Sequence, residues 1–375
     1  MKLLKKILFA AIFGTLAACG GDDPMEPQKP TPTPNPTPTD SISKPEEPKP
    51  QKQLVKGADI SWCTAMEAAG KNFYGFASRN AKECTAVMKE LGANAIRLRV
   101  LVDPEDGYCG VADVLEKARR AAELEMDIMI AFHYSDRLAN AENQSVPKSW
   151  EGMDYAQLCK KVEEHTTGML NELKEANIPV KWVQIGNETN NGMLWPIGQA
   201  DETHFPAQYR GFIETGSKAA RSVYPDAMVV IHLSNAYDSQ LYYRNLNLLN
   251  KQSYDIVGMS LYPSRSIGKE YMTSSGARKQ IMDQQQAIQA AYDNMQYVYN
   301  LTGKDCMLAE CGLPVEKETE SMNLMNDMVD RAYKSEYCLG IFYWEPEAYQ
   351  GWQNYECGAF LPNGRPTQIL DAFSR

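Results

Sequence analysis

Eight short apolar runs alternate with longer amphipathic stretches from residue 54 to the C-terminus, and this alternation restricts the fold more than any other feature of the chain. The runs cover residues 55–61, 95–102, 128–134, 182–188, 228–234, 256–262, 306–310 and 340–344. Between them, residues 111–125, 154–176, 206–223, 280–299 and 318–334 are rich in Ala, Leu, Met, Glu and Lys, with apolar positions three and four apart. Strands alternating with amphipathic helices imply an α/β fold with a parallel sheet. Eight strand-helix units in about 320 residues fit a (β/α)8 TIM barrel with a single catalytic domain better than an open sheet. No Gly-rich phosphate loop follows any run.

The polar residues collect at the C-terminal ends of these runs, where a barrel places its chemistry: Asp59, Arg97 and Arg99, His133 and Asp136, Asn187 and Glu188, His232 and Asn235, Tyr262, Glu310 and Trp344. Two runs end in glutamate, Glu188 and Glu310. Either alone reads as a strand-end cap, but together they supply the two carboxylates that acid/base cleavage of a glycosidic bond requires. Arg97 and Arg99 are two apart on one strand, so both leave the same face and need carboxylate partners inside a barrel. A lone histidine after a strand, as at His133 and His232, is more often a structural hydrogen-bonder than a catalyst. With four histidines and no His-Glu-x-x-His spacing, a catalytic zinc site is not expected. Trp150, Trp195 and Trp344 are candidates for stacking on sugar rings, although an isolated tryptophan more often packs in a core.

The N-terminus reads as a lipoprotein signal. Residues 1–18 carry Lys2, Lys5 and Lys6, then an apolar run too short to span a bilayer, and stop at Cys19, the expected lipidated residue. Gly20, Gly21, Asp22 and Asp23 follow, a pattern resembling surface-export signals of some Gram-negative lipoproteins. The Pro/Thr-rich tract to residue 53 has no apolar mass and reads as an extended spacer. The expected location is therefore the outer membrane, lipid-anchored at the cell surface. The formal charge of −10 becomes −13 when the three signal lysines are removed, which argues against a nucleic-acid partner. Eight cysteines besides Cys19 remain in a chain expected to be exported; Cys63 with Cys109 and Cys311 with Cys357 are candidate bridges, and buried thiols are the alternative.

The motifs then point to a family. Gly57-Ala58-Asp59, the stretch 94–100, Phe132-His133-Tyr134-Ser135-Asp136, Gln184-Ile185-Gly186-Asn187-Glu188, the stretch 192–196, Ile231-His232-Leu233 and Tyr343-Trp344-Glu345-Pro346 resemble, in order, the motifs of glycoside hydrolase family 53. The resemblance implies a retaining endo-β-1,4-galactanase acting on galactan and galacto-oligosaccharides, with no cofactor. It makes Glu188 the acid/base and Glu310 the nucleophile, with Asn187 on the sugar 2-hydroxyl and Arg97 keeping Glu310 ionised. His133, His232, Tyr262 and Trp344 would line the point of cleavage, and Asp59, Asp136 and Trp195 complete the expected substrate-binding set.

The chain departs from the family pattern in three places. Residues 137–141 replace a Trp-Ala-Asp-Pro stretch, Ser234 stands where an Asp is usual, and Cys311-Gly312-Leu313-Pro314 replaces a polar-aromatic stretch. Some relatives hold calcium between the loops after strands 7 and 8, but these loops here look too poor in clustered oxygen ligands, so no metal is expected. The chain is expected to act as a monomer. The rival readings are another β-glycanase of the same clan, such as a mannanase or glucanase, and a non-catalytic surface glycan-binding lipoprotein.

Overall fold

The computed structural model describes residues 53–201 and 206–375. The signal segment, Cys19 and all of the spacer but Gln53 lie outside the described residues. Each of the eight apolar runs coincides with a strand to within a few residues: β1 Val55–Asp59, β2 Ala95–Val100, β3 Asp127–Phe132, β4 Trp182–Ile185, β5 Met228–Leu233, β6 Ile256–Leu261, β7 Asp305–Cys311 and β8 Cys338–Trp344. All pair in parallel, and β1 pairs with β8, so the sheet closes into a barrel. The five expected helices form over Val111–Glu123, Tyr155–Glu175, Ala207–Val223, Gln284–Thr302 and Glu318–Lys334. Local chemistry sets their ends: Asp154 and Gln157 form a reciprocal capping box, and Gly303 stops its helix at φ 71°.

Side chains alternate along each strand between the helix layer and the barrel interior. The outward set, including Ile96, Leu98, Ile128, Ile130, Val183 and Ile231, packs against the helices. The inward set at the N-terminal end is a separate apolar plug of Val55, Ala95, Met129, Trp182, Val230, Ile256, Met307 and Phe342. Trp182 and Phe342 meet edge to face at 6.0 Å near its centre. Gly57 is required beside this plug, because a Cβ there would lie 2.2 Å from the Phe342 ring.

One irregularity matters for function. Met307 and Ala309 face inward, so simple alternation would turn Glu310 outward. A register shift between β6 and β7 places Ser260 opposite Glu310 instead, and this bulge re-aims the glutamate into the barrel mouth.

The connection after β6 holds an antiparallel hairpin, Glu270–Met272 with Arg278–Gln280, anchored where Tyr271 meets Tyr237 edge-on at 5.9 Å. Helices Cys63–Ala68, Cys84–Glu90 and Ser239–Leu248 were not anticipated. None of the eight cysteines of the described residues is in a disulfide, so the two candidate bridges are not formed; seven of the eight are buried, which is the alternative reading. Among the described residues no helix is long and apolar enough to cross a membrane.

Candidate active site

The C-terminal mouth of the barrel opens into a cleft of about 420 Å³. Glu188 and Glu310 both line it, together with His133, Asn187, Ser260, Tyr262 and Trp344. Glu188 follows β4 with φ 47°, a left-handed conformation uncommon for a residue with a side chain. Gly186 just before it is also left-handed, at φ 77°, and a Cβ there would press on Thr189. The turn thus exposes the glutamate at the strand end.

A buried network holds the floor. Arg97, fully enclosed, donates from Nη1 to Asp59 Oδ2 and lies 3.0 Å from Glu310 Oε1. Its Nε and Nη2 reach Gln184 Oε1 at 3.1 and 2.9 Å, and Nη2 also reaches Asn187 Oδ1 at 2.8 Å. The second oxygen of Glu310 accepts from the Tyr262 hydroxyl at 3.2 Å. Because Asn187 Oδ1 is an acceptor, His232 donates to it from Nδ1 at 2.8 Å, and His232 Nε2 lies 2.9 Å from Ser260 Oγ. Asn187 Nδ2 gives one hydrogen to the Ala139 carbonyl at 2.9 Å, which leaves the other for a hydroxyl in the cleft.

His133 is built as a neutral donor. The Ala139 amide donates to its Nδ1 at 3.1 Å, so the proton sits on Nε2, which is buried without a protein partner on the cleft wall. Burial first, then Arg99, Arg97 and His232, push its pKa well below the ordinary histidine value. An imidazole in this state donates to a ligand oxygen without adding charge.

Both glutamates are harder to ionise than in water. Desolvation raises Glu188, opposed by the Ser260 hydroxyl and the Ala141 backbone amide. Desolvation also raises Glu310, up to about 8; Arg97 opposes it, Glu188 and Asp59 add to it, and Tyr262 opposes it. This differs from the expectation that Arg97 keeps Glu310 ionised. Arg97 divides its charge between Asp59 and Glu310, so one cation serves two carboxylates. The pair therefore retains a proton near neutrality. The charge settles on Glu310, where a guanidinium and a phenol both stabilise an anion, and the proton settles on Glu188.

Several expected substrate contacts stand back from the cleft. Asp59, Arg97 and His232 are completely buried and act on Glu310 and Asn187 from behind. Asp136 accepts from the backbone amides of Asp103 and Lys148 and so ties two loops together. Trp195 donates its indole N–H to the Asn191 carbonyl and does not line the cleft, while Trp150 is buried against His165. Trp344 does reach the cleft, braced edge-on by Trp62 at 5.0 Å and Tyr355 at 4.8 Å. Sequence reasoning missed Ser260, Tyr237, Arg265 and Lys269, which also line the cleft. Ser260 carried a usable signal, since it is a polar residue inside the apolar β6 run, two residues before Tyr262.

Residues 55–368 match the family model described as glycosyl hydrolase family 53. The chain belongs to this family. A protein of Niallia circulans, described only as an uncharacterized protein in the bgaB 5′ region, is 32% identical over 221 residues, 57% of this chain and 60% of that protein. The endo-beta-1,4-galactanase of Bacillus subtilis is 27% identical over 336 residues, 85% of this chain and 73% of its own. A solved fungal beta-1,4-galactanase superposes with a TM-score of 0.73 at 22% identity, covering 86% of this chain and 99% of that one, and shares the barrel fold. As a family 53 member the chain is a glycoside hydrolase, which removes the reading of a barrel kept only for binding.

Proposed function

We propose that the protein is a retaining endo-β-1,4-galactanase that cleaves β-1,4-linked galactan by double displacement. The observation that carries this reading is the placement of Glu310, held by Arg97 at 3.0 Å and Tyr262 at 3.2 Å, in the same cleft as Glu188. In the first step a Glu310 oxygen attacks the anomeric carbon while Glu188 gives its proton to the departing glycosidic oxygen. In the second, Glu188 takes a proton from water, and that water displaces Glu310 from the sugar. His133 Nε2–H and the free Asn187 N–H orient the ring during both. Family membership and the galactanase relatives support galactan as the substrate.

The same proposal includes anchorage. Lipidation at Cys19 would tether the barrel, acting as a monomer, to the outer membrane through the proline-rich spacer, at the cell surface; the support for the anchor is the composition of residues 1–53. A reducing-sugar screen over galactan, mannan, xylan and β-glucan tests the substrate, with galactan expected to be hydrolysed fastest and to yield oligosaccharides from internal cleavage. Faster release from mannan or β-glucan would replace galactanase with another β-glycanase activity. Retention of the Cys19→Ala protein in the membrane fraction would sink the lipid anchor.

A further inference from the structure

The β6 flank of the cleft carries cations that hydrolysis does not use. Arg265 lies just past Tyr262, its guanidinium over the Tyr262 ring at 4.8 Å and near the Tyr355 ring at 5.7 Å. Glu356 accepts from Arg265 Nε at 2.9 Å and fixes the group from one edge. Among the described residues neither terminal nitrogen of Arg265 has a hydrogen-bond partner, although the residue lines the cleft. The result is a guanidinium already oriented by two aromatic faces and a carboxylate, with its donor fork unoccupied.

Lys269, at the root of the hairpin, lines the same flank with an exposed side chain and takes part in no ion pair among the described residues. The local charge is consistent with these two residues. Residues 263–282 hold Arg265, Lys269, Arg278 and Lys279 against the single acid Glu270, in a chain whose net charge is −10. The remainder of the cleft lining carries Glu142 and the Glu188–Glu310 pair, which shares one proton, with Arg137 and other cations absent from it among the described residues. An anionic group entering the cleft therefore meets a cationic lining side chain only on this flank, among the described residues.

We propose that the β6 flank is a subsite for the carboxylate of an acidic sugar, a uronate borne by the otherwise neutral galactan chain. Arg265 supplies the planar fork that matches two carboxylate oxygens, and Lys269 supplies a second, mobile charge. Neutral hydroxyls give no comparable reason for two cations, whereas a carboxylate uses both. The inference rests on the galactanase reading for its polymer, but the subsite itself is defined by charge.

The test compares one β-1,4-galacto-oligosaccharide carrying a single uronate with the same molecule after its carboxyl is reduced to the neutral alcohol. The expected ratio of kcat/KM, acidic over reduced, is about tenfold, the size of one charge-assisted hydrogen bond. It should lie mainly in KM and shrink as salt is raised. In the Arg265→Gln, Lys269→Gln double variant the ratio should fall to about one, and melting curves would establish that the variant is folded. A wild-type ratio near one, or a ratio that survives in the folded double variant, overturns the subsite. Calorimetric binding of the same two oligosaccharides to Glu310→Gln protein gives the charge preference without turnover. Failure of galactan hydrolysis would then count against the galactanase reading alone.

Discussion

The two ends of the barrel interior are built from the same strands and obey opposite rules. At the N-terminal end Val55, Ala95, Met129, Trp182 and Phe342 form a dry apolar plug. Two residues further along β1, β2 and β4 the inward positions are Gly57, Arg97 and Gln184, and Asp59 follows on β1. Burying Arg97, Asp59, His232 and Glu310 is costly unless each is paired. The structure meets that cost with a single connected network through Arg97 and Asn187. The contrast separates two jobs: the plug supplies stability without chemistry, and the network stores polarised groups that only a bound sugar fully satisfies, as the unpartnered His133 Nε2 shows.

The largest expected effect falls on chemistry alone. Glu310→Gln is nearly isosteric but a far poorer nucleophile, and its turnover of galactan should fall at least about a thousandfold. Clean protein retaining more than a few per cent of wild-type rate would remove Glu310 from that role. The same variant sharpens the stability contrast. In the folded wild type the Glu188–Glu310 pair holds a proton above the ordinary carboxyl value of 4.5, with Glu310 raised up to about 8, so the unfolded chain releases that proton first. Stability drawn from this group is present at low pH and drains as pH rises between those values. Gln does not titrate, so the melting temperature of the variant relative to wild type should climb across that window. A difference that stays flat with pH would contradict the raised pKa.

Phe342→Ala should do the reverse. It empties the centre of the plug beside Trp182 and is expected to cost about 3–5 kcal/mol of folding stability, read from denaturant midpoints. Below its melting point the folded enzyme should keep kcat within a few-fold of wild type. A collapse of kcat in protein that remains folded would mean the two ends are not independent.

These two ends were not equally legible in the sequence. The plug and its strands were, because β-strands buried on both faces are continuous apolar runs and all eight were visible as such. The position of the site was visible for the related reason that polar residues at strand ends interrupt those runs. What was hidden depends on contacts between distant segments. Alternation places Glu310 outward, and only the register of β7 against β6 turns it in. Asp59 and His232 look like substrate contacts in sequence, yet they sit behind Arg97 and Asn187. The hairpin after β6 escaped notice because its residues are largely exposed and lack apolar alternation, its anchor being Tyr271.

A smaller effect is expected from Tyr262→Phe, which removes one hydrogen bond from Glu310 and leaves the ring. The phenol favours the charged carboxylate, so its loss raises the Glu310 pKa further. Activity needs that carboxylate ionised, and the acid limb of kcat/KM should therefore move to higher pH by about one unit. A limb that stays in place, or moves to lower pH, would show that the phenol does not stabilise the nucleophile.

The smallest effect concerns chelation. The loops after β7 and β8 are where an ion would bridge the barrel mouth, but they offer few oxygen donors, and Glu345 and Glu356 among their carboxylates are engaged. Glu345 accepts from Arg99 Nη1 at 2.8 Å and from the Trp62 amide at 2.9 Å. Burial and the neighbouring Glu345 push Glu347 well above the usual carboxylate range, and it keeps its proton. Glu356 is paired with Arg265 at 2.9 Å. A calcium ion needs six to eight oxygen ligands, and a protonated acid or one already bound to an arginine is a poor donor. EDTA is accordingly expected to change neither the melting temperature nor kcat/KM, because an ion that stabilised the fold would be linked to both. A reproducible fall in melting temperature on chelation, reversed by calcium, would show that these pairings open to admit a metal.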